Sequence, residues 1–456
     1  MVRLTQNIEA AYEVESTYGD PPDGTLSHLG LLDTFDPRQV EKSITPVPSI
    51  GQSTDAFHAA GPIGVTLPLK VACQGSGWQN ILGRAIGRTY ADALVTAGAA
   101  GSNAGTPMKL SSSVDSISVL AKDSDGDYTL VGGVVPNEVT LTADYTTGGY
   151  MTCEATCTAQ YSEDTSDGDF SGEFYGDDYS DVAFPVSPAA DPLLPTDMTL
   201  SYSTAVQDDD MLKLNIAAGK YVEIGERYLR IFTAAEILDS TLAASGVASV
   251  PYNGVMDLTH GDADTITDVI TRVNATGLSS DSAAGSGAGS DKSVNLLKGI
   301  YKMTGALKSI PGIQSTSVDG AEGDMALFPN LKTVSLKIAN NNTPISGKTG
   351  TTWLLNNSIS KGKADVTLDI TMTATDETFY DKYKLGTAAG GVIPLIRLDF
   401  GASVGSIALT NGTITAFSRP LTPGGELVDT MSIKFRGSGD YKNFSSYAIS
   451  ADWTLA

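Results

Sequence analysis

Basic side chains, histidine, cysteine and long apolar runs are all scarce in this 456-residue chain, and each scarcity removes a class of function. Lys and Arg number 29 against 53 Asp and Glu, a net charge of −24. A surface this negative does not grip nucleic acid, which needs clustered cations to displace counterions from phosphates. It is compatible with a surface along which DNA passes without sticking, and equally with acidity that only keeps the protein soluble. The three histidines, His28, His58 and His260, sit in no recognisable catalytic setting. His260, in Leu258-Thr259-His260-Gly261-Asp262-Ala263-Asp264, reads more economically as part of a turn leading into a helix than as a base with carboxylates. Glycine runs such as Gly285–Gly289 lack the Gly-Lys-Ser/Thr ending of a phosphate loop. The chain is therefore expected to be no enzyme, with no catalytic residues and no cofactor. No apolar run approaches the ~20 residues of a membrane span. Met1–Asn7 lack a signal peptide's apolar core, so a soluble protein made in a cytoplasm is expected.

Only three cysteines are present: Cys73, Cys153 and Cys157. In Met151–Ala159 alternate residues are apolar, which places both later cysteines on the buried face of a strand. Cys73 ends the apolar series Ile63, Val65, Leu67, Leu69, Val71. With no histidine beside them these are core residues, not zinc ligands. Asp123, Asp125 and Asp127 put three carboxylates in a tight turn, as calcium loops do, but the later bidentate Glu of an EF-hand is missing. They are weak calcium candidates, and a solvated hairpin turn is the simpler account. The acidic run 163–178 could collect cations weakly.

What the chain does have is glycine (48 residues) and many short alternating segments, the mark of half-buried antiparallel strands. Residues 364–373 alternate Val366, Leu368, Ile370, Met372 with Thr and Asp. Val334, Leu336 and Ile338, then Val139 and Leu141, then Met431, Ile433 and Phe435 repeat the pattern. Further strands are expected at 211–216 and 228–232. Asp125-Gly126 and Asn411-Gly412 signal hairpin turns. Three helices are expected, at 376–386, 78–87 and about 265–274, the first with capping Asp376, closing Gly386 and a Phe379–Tyr383 pair.

Val65-Thr66-Leu67 followed by a helix with Trp78 and Leu82 has a counterpart in Val366-Thr367-Leu368 followed by Phe379 and Tyr383. All of these share an offset of 301 (366 − 65, 379 − 78, 383 − 82). An internal duplication follows. Its expected parts are a first β module over 1–161, an inserted acidic α+β domain over 162–325 and a second β module over 326–456. Charge follows the same division. Residues 1–153 carry 16 acidic and 8 basic side chains, 154–330 carry 27 and 9, and 331–456 carry 10 and 12. The middle part opens on an acidic, aromatic stretch, runs through Pro185, Pro188, Pro192 and Pro195, and includes a Ser/Gly/Ala loop at 279–290.

These residues resemble the major tail tube proteins of long-tailed, siphovirus-type phages and related archaeal viruses. The resemblance rests on Ala10–Gly19, Gly75–Gly87 and Pro136–Ala143 in the first module, and on Leu331–Asn342 and 364–386 in the second. It covers both flanking modules and leaves the middle segment without a counterpart. It implies a mainly β fold of two tail-tube-type sandwich or barrel modules, each with a flanking helix. It also implies strands that join neighbours' strands around a channel, which removes exposed edges. With two modules per chain, three chains would form a pseudo-sixfold ring, hexameric rings being the alternative. The stretch 36–62 would suit a loop lapping onto the adjacent ring, or an ordinary surface loop. The implied role is a structural virion protein of the viral tail, assembled in the host cytoplasm. Its partners would be itself, a tape-measure protein, and tail terminator and baseplate proteins. DNA would cross a lumen with few Lys and Arg, without sequence-specific binding and with no membrane involved. A second reading is a surface-exposed adhesin, or another tail or baseplate structural protein, whose middle domain binds a host surface or glycan.

Overall fold

The protein is described from a computed structural model at residues 9–15, 17–19, 22, 26–30, 32–36, 40–47, 57–73, 77–86, 94–95, 108–109, 116–122, 128–147, 150–165, 198–203, 207–224, 228–233, 255–258, 265–275, 296, 299–305, 307–313, 325–349, 352–388, 390–400, 404–421, 425–436 and 448–454. The fold is mainly β, with twenty-seven strands and three helices among the described residues. The expected helices are all present. Two units emerge, each drawing on separated stretches of chain. Unit 1 is Met1–Thr89, Ser111–Leu194 and Ser335–Asp365; unit 2 is Tyr90–Leu110, Pro195–Val334 and Val366–Ala456.

The chain opens with β1 (Glu9–Val14), β2 (Ser27–His28), β3 (Leu32–Phe35), β4 (Val40–Val47), β5 (Phe57–Ala72) and α1 (Gly77–Ile86). Two short strands that fall in unit 2 follow, β6 (Leu94–Val95) and β7 (Met108–Lys109). Then come β8 (Ile117–Lys122), β9 (Tyr128–Asp144), β10 (Thr152–Ala159) and β11 (Tyr161–Thr165). In unit 1 the antiparallel ladder runs β5, β10, β9, β8, β1, β2. β3 and β4 pair with β5, and β11 pairs with the first half of β9. Alternation decides the buried face: Val65, Leu67, Leu69 and Val71 on β5 meet Cys153, Ala155, Cys157 and Ala159 on β10, all at most 2% exposed. The expected core role of the cysteines holds. All three thiols are free and buried, and burial pushes Cys157 up to about 12.

The later elements are β12 (Thr199–Ser203), β13 (Gln207–Leu214), β14 (Lys220–Ile224), β15 (Tyr228–Thr233), β16 (Val255–Asp257), α2 (Ile266–Ala275), β17 (Gly299–Lys302), β18 (Lys308–Ile313) and β19 (Met325–Leu327). They continue through β20 (Leu331–Ala339), β21 (Thr343–Thr349), β22 (Thr352–Ser360), β23 (Asp365–Thr373), α3 (Thr378–Leu385), β24 (Ile393–Asp399), β25 (Gly405–Ser418), β26 (Val428–Phe435) and β27 (Ile449–Thr454). In unit 2 the ladder runs β23, β26, β25, β24, β12, β19, and β27 pairs with the first half of β25.

The second ladder repeats the first element by element. The 301 offset holds at the end of the strand (Ala72, Thr373), the start of the helix (Gly77, Thr378) and every buried residue between Val65 and Val71. Irregularities repeat as well. β9 carries one extra residue, Asn137, opposite Thr156 and Cys157; β25 carries one, Thr415, opposite Ser432 and Ile433. Four residues earlier each strand turns through a positive φ, at Gly133 (67°) and Asn411 (53°). Such bulges and bends re-aim long strands, and they are unlike random sequence echoes in falling at matched register. The expected hairpin turn at Asn411-Gly412 is thereby corrected: the pair is a mid-strand bend. A turn is excluded because Gly412 is paired on both sides, with Ile393 and Phe435. The other expected turn, Asp125-Gly126, lies outside the described residues.

Among the described residues, β13 to β18 form a two-stranded and a four-stranded sheet separate from the ladders, and with α2 they enclose a core of Leu212, Val222, Ile231, Met256, Val269, Ile310 and their neighbours. This α+β piece leaves and re-enters unit 2 through β12 and β19, which are adjacent (Ser203↔Met325). β12 and β19 stand where β1 and β2 stand in the first ladder, so the piece occupies the position of the short β1–β2 connection. The sequence segment that was expected to start at 162 therefore includes β12, which hydrogen-bonds to β24 as β1 does to β8.

Candidate assembly surfaces

Three surfaces follow from this layout. The first is the solvent side of the two ladders. Thr66, Lys70, Thr152, Glu154, Thr156, Thr158, Thr140 and Thr142 alternate with the buried residues of the first. Thr367, Asp369, Thr371, Thr430, Ser432, Lys434, Thr413 and Thr415 do so in the second. Both faces are threonine-rich with isolated charges, and several of those are paired: Lys70 with Asp33 at 2.7 Å and Lys337 with Glu138 at 2.6 Å. Threonine presents a β-favouring side chain with a short hydroxyl, so such a face is wet and only sparsely charged. Among the described residues it has no basic cluster that could hold a polyanion.

The second surface is the place in unit 1 that receives the β21–β22 hairpin. Leu354 of β22 lies parallel to β5 at Ile63 and is 1% exposed. Asn356 donates from its side-chain amide to the carbonyls of Ala159 (2.8 Å) and Val65 (3.3 Å), the terminal pair of the β5–β10 ladder. Tyr18 Oη donates to the Asn356 carbonyl at 2.8 Å, and Gln160 Nε2 to the Asn357 carbonyl at 3.2 Å. Lys361 Nζ donates to the carbonyls of Ile86 (3.2 Å) and Ala85 (3.5 Å), placing a cation at the negative end of α1. At the hairpin's other end the bulge on β9 is filled. The backbone amide of Asn340 donates to the Asn137 carbonyl and that of Asn342 to Asn137 Oδ1, both at 2.8 Å. The bulge frees backbone groups that an ordinary ladder would consume, and the asparagines satisfy them. Val65, Tyr18, Ile86, Asn137 and Asn340 to Asn342 fell within stretches that stood out in the sequence, while Asn356, Asn357, Gln160 and Lys361 did not; the paired amides of Asn356-Asn357 were the available signal.

The third surface is the edge of β27 in unit 2, which pairs with β6 in parallel (Trp453↔Leu94) and with β7 antiparallel (Ser450↔Lys109). β11, its equivalent in unit 1, pairs with β9 along Tyr161–Thr165.

Close to the β9 bend, Glu15 is mostly buried and accepts four hydrogen bonds. The donors are the Gly133 (2.6 Å) and Gly19 (2.7 Å) amides and the Ser118 (2.7 Å) and Ser116 (2.5 Å) hydroxyls. Burial raises its pKa above the ordinary value, and the four donors oppose that only in part. In unit 2 Arg419 forks onto Asp429, with Nε and Nη2 at 2.5 and 2.8 Å, and also reaches Glu377 at 2.6 Å. Asp429 is 1% exposed, so the bidentate pair closes the edge of β26 over an ion that burial would otherwise penalise.

The calcium candidates Asp123, Asp125 and Asp127 lie outside the described residues, as do His260 and most of the acidic run 163–178. His28 lies on β2 and His58 on β5, far apart in the ladder order. Among the described residues no group of three or more His, Cys, Asp or Glu could hold a metal, and no helix is long and apolar enough to cross a membrane. Stretch 36–62 contains β4 and the first residues of β5, which pair antiparallel from Val40↔Val65 to Val47↔Phe57. Compared with known proteins, the chain matches no family model and no curated protein.

Proposed function

We propose that this chain is a structural subunit of a viral tail tube, two tube modules in one polypeptide, which assembles side by side with copies of itself into stacked rings around a DNA channel. The supporting observation is the repeat of a whole ladder. Strand order, bulge, positive-φ bend and strand-to-helix spacing recur at matched register, which is what a ring built from quasi-equivalent modules requires of one chain. Three chains then supply six modules. The threonine-rich faces suit the lumen: they are polar enough to stay wet and too poor in cations to hold the DNA backbone. The acidic α+β piece, with its own closed core and its two adjacent strand exits, is an outward decoration that the ladders do not need. The same self-contained piece also supports the second reading, a module that binds a host surface or glycan. No catalysis is proposed.

Negative-stain electron microscopy of the purified chain tests this reading. Rings or hollow tubes whose averaged cross-section has three-fold or pseudo-sixfold symmetry are the expected result. A discrete monomer across protein and salt concentrations would reject the tube and favour the adhesin reading.

A further inference from the structure

Glu15 follows β1 directly, and each of its carboxylate oxygens holds two donors of different kinds. Oε1 accepts from the Gly133 amide (2.6 Å) and the Ser118 hydroxyl (2.7 Å). Oε2 accepts from the Gly19 amide (2.7 Å) and the Ser116 hydroxyl (2.5 Å). The two amides mark what the carboxyl fixes: one belongs to the bend of β9, the other to the turn that carries Tyr18. A Cβ added at Gly133 would lie 2.7 Å from Gln160 Cβ and 3.2 Å from the Tyr18 ring, so the bend abuts both side chains. Tyr18 and Gln160 are in turn the side chains that donate to the backbone of β22, at the Asn356 and Asn357 carbonyls. One carboxyl thereby stands behind both of these bonds to the hairpin.

We propose that Glu15 is the positioning residue for reception of the β21–β22 hairpin, a latch that has to be a carboxyl and that holds β22 in both its charged and its neutral form. The chemistry follows from the donor set. A carboxylate has acceptor lone pairs on both oxygens, so both backbone amides are met. When a proton is taken up, one oxygen becomes a hydroxyl that still accepts from its amide, and the serine beside it turns to accept the new O–H. Amides cannot turn but hydroxyls can, and each oxygen has one of each. A carboxamide fails here. Its nitrogen would set an N–H against a backbone N–H and leave a buried donor unmet. Burial raises the proton affinity of Glu15, and its four donors oppose that. The charged side chains of the strands around it, Glu9 and Glu13 on β1, Lys122 on β8, Glu138 and Asp144 on β9, are not among those influences. The latch acts within one chain and is independent of the ring assembly proposed above. Its importance lies in where the hairpin originates: residues 335–365 lead into the second ladder, and the groups behind Glu15 help to decide where that stretch lodges.

Hydrogen exchange of the full chain tests this, with protection of the β22 amides read against that of the β5–β10 ladder. A hairpin is marginal by itself, so its release shows as faster exchange. In the natural chain, β22 should be protected at pH 4 at least as well as at pH 7, once intrinsic exchange rates are corrected for. Glu15→Gln should lower β22 protection about tenfold at both pH values and leave the ladder unchanged. Tyr18→Phe should also lower it, and adding that change to Glu15→Gln should cost little more, because the carboxyl acts partly through Tyr18. Unchanged β22 protection in Glu15→Gln, or an equal loss throughout the ladder, would overturn the positioning role. So would fully additive losses, or release of β22 by acid in the natural chain. Should Glu15→Gln not fold, the other two measurements decide: acid release in the natural chain, or no loss in Tyr18→Phe, overturns the latch.

Discussion

Helices α1 and α3 occupy the same place in the two repeats, yet one is enclosed and the other is half bare. All ten residues of α1 are buried, with Trp78, Ile81, Leu82, Ala85 and Ile86 each at most 1% exposed. On α3 only Phe379 is buried, against Tyr202 (4.9 Å) and Phe328 (5.1 Å), while Tyr380, Tyr383 and Leu385 are 39%, 38% and 49% exposed. The covering residues correspond: Tyr12 of β1 and Leu29 meet α1, and Tyr202 of β12 and Phe328 meet α3. On the first, Tyr12 Oη accepts from Asn80 at 2.7 Å, and a Cβ on Gly77 would lie 1.9 Å from the Leu29 carbonyl oxygen. The first helix is pressed flat to its cover by glycine; the second is held by aromatic rings, Phe379 on Tyr202 and Phe328, and Tyr380 and Tyr383 on Phe417 (5.5 and 5.9 Å). The ladder repeats while the outer layer differs, because register is dictated by the pleat while a helix needs only one buried stripe.

The sharpest way to break this contrast is to truncate the anchor of each helix. Trp78→Ala should cost roughly 3–5 kcal/mol, and Phe379→Ala the lower end of that range, since α3's other large side chains bury little. Denaturant unfolding read by hydrogen exchange in each ladder would separate the two, and equal losses would erase the distinction. Next in size, Arg419→Met should destabilise unit 2 by about 3 kcal/mol, because it strands the buried Asp429 carboxylate; a loss below about 1 kcal/mol would show that Asp429 is not held by this pair.

A smaller effect sharpens the comparison through pH. Glu15 has no carboxylate counterpart in the second repeat, where its place is the entry to the α+β piece. Its folded pKa is raised above its unfolded value, so the folded state binds the proton more tightly. Stability from this group falls as pH rises through the window between those two values and is restored as pH drops below the unfolded value near 4.5. The difference in unit 1 stability between the natural chain and Glu15→Gln, measured from pH 4 to 7, should slope in that sense. A flat difference would mean that its four donors cancel its burial. Smallest of all, Tyr383→Ala should cost about 1 kcal/mol, the loss of its stack on Phe417 (5.9 Å).

How much of this was legible beforehand differs by level. Alternation in Val65–Val71 and Val366–Met372 revealed the strands, and the 301 offset revealed the repeat, because period-two burial and helix spacing are local properties written in consecutive residues. Asn411-Gly412 misled, since a positive φ serves a bulged strand as well as a turn and only the partners of Gly412 tell them apart. Residues 335–365 read as the start of the second module, yet their hairpin is satisfied in unit 1, because hydrogen bonds from Asn356 to Val65 and Ala159 leave no mark in neighbouring sequence.

By itself, then, the amino-acid order determined a mainly β chain, three helices, a buried role for three cysteines and two related ladders. Tertiary structure alone decided that the α+β piece replaces a short connection between β12 and β19, that the bulges coincide, and where the β21–β22 hairpin is received. The reason is physical: side-chain alternation is fixed by backbone geometry over a few residues, whereas the partner of a strand edge is chosen by whichever distant segment satisfies its hydrogen bonds.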